Sequence, residues 1–133
     1  MDYLKQFLAG FLSTLIFHQG IIVIGYILGI FPNFPYNIAP TEPFGIPSIV
    51  SISLFGGGWG IIIWYFVKPF KGTTLWVLSF VLSGLLLTMF FSIIIAPLKG
   101  IDINIARFLT GFILNGAWGI GNTLFVRLFK SND

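Results

Sequence analysis

Residues Ile49–Val67 read IVSISLFGGGWGIIIWYFV, and Lys68 follows. This stretch contains no Lys, Arg, Asp or Glu. At ~1.5 Å per residue, a helix of this length covers about 29 Å, close to the thickness of a bilayer's hydrocarbon core. A membrane-crossing strand needs only about ten residues and alternates lipid-facing with lumen-facing positions. Here both parities are apolar, so the stretch reads as a membrane-spanning helix.

The same pattern recurs on either side. The stretches from about Phe7 to Phe31, Leu75 to Ile95 and Phe108 to Phe129 are comparably long and uncharged. Arg127 is the exception, and it lies in a last turn from which its head can reach the interface. Over all 133 residues, 56% are hydrophobic and 8% charged; a soluble domain averages about 25% charged. Mean hydropathy is +0.98. So few charges cannot cover a water-soluble domain of this size, and a disordered chain is excluded on the same grounds. The expected fold is an all-α integral membrane four-helix bundle forming a single transmembrane domain over 1–133. Its spans are 7–31, 49–67, 75–95 and 108–129, with a proline-rich outer loop over 32–48. The first span is longer than a signal-peptide core and no small-x-small cleavage pattern ends it, so it reads as a retained helix.

The chemistry available is narrow. Cysteine is absent, and one histidine accompanies four carboxylates, Asp2, Glu42, Asp102 and Asp133. Disulfides and thiolate chemistry are therefore excluded within one copy, and a zinc site of ordinary ligand count is not expected. No carboxylate lies mid-span to form an acid–base pair with the histidine. No Walker loop, nucleophile elbow, HExxH or dinucleotide fingerprint occurs. No catalytic residue, metal or cofactor is expected. The net charge of +3 implies no nucleic-acid partner, because the basic residues sit at the ends of apolar runs. There they report orientation. Lys5, Lys68, Lys71, Arg127 and Lys130 fall on one side, against Lys99 and Arg107 on the other. Both termini are expected in the cytoplasm.

The first loop holds Pro32, Pro35, Pro40, Pro43 and Pro47, interleaved with Phe34, Tyr36 and Phe44. Proline fixes φ and restricts the residue before it, so this loop is neither helical nor necessarily floppy. It reads as a stiff connector on the outer membrane surface. The alternative is a lid, or a partly re-entrant segment folded over the bundle.

A shift of 59 residues aligns Gly57-Gly58-Trp59-Gly60-Ile61 with Gly116-Ala117-Trp118-Gly119-Ile120. It also aligns Phe66-Val67-Lys68 with Phe125-Val126-Arg127, and Lys71 with Lys130. The economical reading is a duplicated helical hairpin, its two copies in parallel orientation. Trp59 and Trp118 should then occupy equivalent positions.

Small residues let helix backbones approach closely in lipid, where polar side chains also bond between helices. Gly25 and Gly29 form a small-xxx-small pair. Gly56, Gly57, Gly58 and Gly60, and later Gly116 and Gly119, are further packing positions. His18 and Gln19 fall near mid-span, as does Asn115, with Asn122 on the same face of the last helix. Together they form a candidate intramembrane polar site. Polar groups at this depth need partners, so His18 should face the bundle and bond to another helix.

Three segments, Phe17-His18-Gln19-Gly20, Pro43-Phe44-Gly45-Ile46-Pro47 and Phe55-Gly56-Gly57-Gly58-Trp59-Gly60, resemble a group of small uncharacterised bacterial inner-membrane proteins. The resemblance covers the first half best. It implies a bacterial inner-membrane location and brings no activity. The expected role is structural or accessory, with the chain packing against itself or a larger membrane complex in the lipid bilayer. The alternative is an oligomeric transporter or channel for a small solute or protons, its polar path lined by His18, Gln19, Asn115 and Asn122.

Overall fold

The computed structural model describes residues 2–131. Its helices are α1 (Tyr3–Ile27), α2 (Ser48–Val67), α3 (Gly72–Leu98) and α4 (Ile105–Lys130). α1, α2 and α3 are long and apolar enough to cross a membrane. α4 has 26 residues and contains the fourth expected span. Its apolar residues are diluted by Asn115, Asn122, Thr110, Thr123 and several glycines, and its hydropathy is lower for that reason. Two of the helices start with side-chain caps that satisfy orphan amides. The Asp2 carboxylate accepts from the Lys5 amide at 2.9 Å, and Asn104 Oδ1 accepts from the Arg107 amide at 2.8 Å.

α1 and α3 each contain one π-helical turn, at Thr14–His18 and Phe91–Ile95. α1 ends at Ile27, earlier than the expected Phe31. Gly29 adopts φ +78, a left-handed conformation that ends helices at little cost for glycine. The Ile30 amide then closes onto the Gly25 carbonyl at 2.8 Å. This corrects the expectation for the Gly25 and Gly29 pair. The Phe31 ring covers Gly25, and nothing packs where a side chain at Gly29 would stand. The pair serves the chain reversal, not a helix–helix contact.

The proline-rich loop is ordered around a small antiparallel hairpin. β1 (Pro40–Thr41) pairs with β2 (Ile46–Pro47), Thr41 opposite Ile46. Gly45 sits at φ +72 between them, its amide bonded to the Thr41 carbonyl at 2.7 Å. The loop folds back on α1. Phe34 packs edge-on against Tyr26, and the Tyr36 hydroxyl donates to the Leu15 carbonyl at 2.7 Å. Leu15 lies twelve residues before the end of α1, about 18 Å along the helix. The loop thus lies against α1, with Ile38 and Phe44 left exposed.

The extensive helix contacts are α1 with α2, α3 with α4, and α1 with α4, whereas α2 and α3 touch less. Contacts between α1 and α4 advance in the same sense along both helices. Gly10 meets Trp118, Ser13 meets Gly121, and Phe17 meets Phe125. These contacts run from the first third of α1 to its π turn. The polarity of the molecule is inverted. Gln6, Ser13, Thr14, Gln19, Ser53, Ser79, Ser83, Thr88, Asn122 and Thr123 are buried, while Ile24, Ile27, Phe55, Tyr65, Ile93 and Leu109 are exposed. A soluble fold places these classes the other way round.

Candidate interhelical polar site

The polar interior is built around Trp118, which is 1% exposed. Its indole Nε1 donates to the Gly10 carbonyl and to Thr14 Oγ1, both at 3.1 Å. Ser13 Oγ donates back to the Trp118 carbonyl at 2.6 Å. A tryptophan can bury its large apolar body only where its N–H finds an acceptor. Here Gly10 lets the indole reach a main-chain carbonyl, and Thr14 supplies the second acceptor. Across the α3–α4 interface, Ser79 Oγ and Thr123 Oγ1 are 2.5 Å apart, and Asn115 Nδ2 donates to Thr88 Oγ1 at 2.9 Å. Asn122 Nδ2 reaches the Gly60 carbonyl of α2 at 3.3 Å. Asn122 Oδ1, Ser83 Oγ and Ser92 Oγ are buried without a hydrogen-bond partner.

The four expected polar residues do not converge. Asn115 and Asn122 each join α4 to a different helix. His18 and Gln19 occupy the end of the π turn and the residue after it, with His18 Nδ1 and Gln19 Nε2 3.2 Å apart. His18 is half-buried, and Gln19 is 5% exposed. The expected bond from His18 to another helix is therefore replaced by one along its own helix. The physical reason is adjacency. In the widened π turn, the neighbouring amide already stands within reach of the imidazole.

The glycines sort by what they face. A side chain at Gly56 would meet Gly10 and Thr14 of α1. One at Gly60 would meet the Gln6 carbonyl and the Gly10 Cα, each at 2.9 Å. One at Gly119 would meet Ser79 and Ser83 of α3. Gly57 is covered by the Phe7 ring, and Gly116 by the Phe80 ring. Gly58, expected among the packing positions, faces open space. It falls on the turn between its two buried neighbours, Gly57 and Gly60.

Ser13, Ser79 and Thr123 are bonded members of this interior that composition did not single out. Their signal in the sequence is weak, because an isolated Ser or Thr in a span often bonds its own helix. Ser53 does so, donating to the Ile49 carbonyl at 2.8 Å. Among the described residues, no three His, Asp or Glu side chains stand together as metal ligands would.

The structure thus defines an all-helical protein with a polar, glycine-lined interior and an apolar exterior, three of its helices able to cross a membrane. No protein-family profile, no curated protein and no solved structure matches the chain.

Proposed function

We propose that this chain is a small multi-pass protein of the bacterial inner membrane with an accessory, assembly-forming role, α4 serving as a fourth span. The observation that carries the reading is the use of its interior polar groups. Trp118, Thr14, Ser13, Ser79, Thr123, Asn115 and the Asn122 amide are spent on helix-to-helix bonds, and glycines bring the backbones together. Such groups hold a bundle together and leave little to line a path.

A duplicated hairpin gives the assembly surface. The contacts Gly57 on Phe7 and Gly116 on Phe80 correspond, as do Gly60 on Gln6 and Gly10, and Gly119 on Ser79 and Ser83. The even helices match at a shift of 59 and the odd ones at 73. The difference of 14 residues equals the excess of the first connection, 28–47, over the third, 99–104. Trp118 then points at α1 as Trp59 points at α3, where it meets Phe90 edge-on. Trp118 is sealed and Trp59 is half-buried. The α2–α3 side is the less closed counterpart of the α1–α4 side, and it offers the face for a second copy or a larger complex.

A photo-crosslinking residue at position 59 should give discrete adducts in membranes, and one at position 118 should give none. A monomer in mild detergent with no adduct at position 59 would overturn the assembly role. A conducting role is the second reading, favoured by the buried and unpartnered Asn122 Oδ1 and Ser83 Oγ. Solute or proton flux in liposomes that is lost on Asn122→Leu would establish it instead.

A further inference from the structure

A cavity of about 720 Å³ opens at the end of the bundle where α2 and α4 finish and α3 begins. Lys68, Lys71, Arg127 and Lys130 all line it, with Gln6 and Trp64 toward the bundle. Among the described residues, no carboxylate lines it. Orientation alone asks only that basic residues lie on the cytoplasmic side. It does not ask that they meet around one hollow. The four come as two pairs, each three residues apart, at positions related by the 59-residue shift.

A second cavity, of about 410 Å³, adjoins the first and shares Gln6, Trp64 and Lys68 with it. Its remaining lining includes Tyr3, Ile62 and Tyr65, which are 73%, 44% and 64% exposed. The hollow is therefore cationic on one side of Trp64 and apolar or aromatic on the other. The ammonium of Lys68 stands at the boundary, 5.2 Å from the Tyr65 ring centroid. On the far side, the Arg127 guanidinium stands 5.8 Å from the Trp76 ring centroid.

We propose that this paired cavity binds the phosphate headgroup of an anionic phospholipid, with an acyl chain lying in the apolar half. The assignment rests on the membrane-embedded reading above. Four cations gathered in one concavity that no carboxylate of the described residues lines call for an anion, and basic pockets between helices at the cytoplasmic face hold lipid headgroups. Lysine and arginine both recognise phosphate oxygens through charge-assisted hydrogen bonds. A free phosphate ion shares that chemistry but has no use for the apolar half, and the adjoining groove favours the lipid.

The test is native mass spectrometry of the protein released from phosphatidylcholine nanodiscs doped with phosphatidylglycerol. Wild type should retain phosphatidylglycerol in preference to phosphatidylcholine. Lys68→Gln with Lys71→Gln, or Arg127→Gln with Lys130→Gln, should lower that retention roughly thirtyfold. Lys68→Arg with Lys71→Arg should keep it. Lys99→Gln with Arg107→Gln removes the same charge at the opposite end and should leave retention unchanged. Equal loss from both ends would reduce the effect to general surface charge and overturn the site. Displacement of the bound lipid by inorganic phosphate alone would overturn the lipid as occupant. Failure of the wild-type helices to insert, read by circular dichroism of the nanodisc fraction, would instead bring down the membrane reading beneath it.

Discussion

The Tyr36 hydroxyl donates to the Leu15 carbonyl at 2.7 Å, across 21 residues of chain. Leu15 lies in the π turn of α1. In an α-helix the Gln19 amide would close onto that carbonyl. Here it closes onto the Thr14 and Ile16 carbonyls instead, and Tyr36 takes the position it leaves. Tyr36 reaches it from φ 67, a conformation uncommon for a bulky residue and one that persists when surrounding contacts hold it. Tyr36→Phe should cost about 0.5–1.5 kcal/mol. Hydrogen exchange should rise across residues 33–39. Unchanged exchange there would mean that the loop is held by its hairpin alone.

Trp118→Phe removes the one N–H shared by Gly10 and Thr14 while keeping an aromatic ring in place. The expected loss is about 1–3 kcal/mol, from the indole hydrogen bonds removed and a small cavity, the Gly10 carbonyl keeping Thr14 as a donor. Trp59→Phe, at a half-buried site with no hydrogen bond to lose among the described residues, should cost less. Thermal unfolding of both variants in one detergent orders them. The reverse order would contradict the central place given to Trp118.

Gly119 and Gly58 are both helical glycines with opposite surroundings. A methyl group at Gly119 would collide with the Ser79 backbone and the Ser83 side chain, whereas one at Gly58 meets nothing within 4 Å. Gly119→Ala should force α3 and α4 apart, at about 1–3 kcal/mol. Gly58→Ala should be neutral or gain up to about 1 kcal/mol from helix propensity. Equal effects in a thermal melt would show that the α3–α4 contact is looser than described.

Orientation follows from the distribution of basic residues. Reporter fusions after Gly72 and after the C-terminus should read cytoplasmic, and one after Thr41 periplasmic. A periplasmic C-terminal reporter would reverse the topology or remove α4 from the set of spans.

Helical class and approximate span positions were legible in residues such as Ile49–Val67, because hydropathy accumulates along consecutive positions and needs no partner. Gly56, Gly57 and Gly60 were legible as small residues for the same local reason, though not what each would face. The partners are long-range facts. Gly25 belongs with Phe31 and not with another helix, and His18 with Gln19. Trp118 reaches back 108 residues to Gly10, and Lys68 shares a hollow with Arg127. Composition determined that polar groups inside the chain must find partners, since an apolar surround supplies none. Which groups they found depended on the contact of α1 with α4 and on the π turn at Thr14–His18, and the first of these arises from packing among residues distant in the chain.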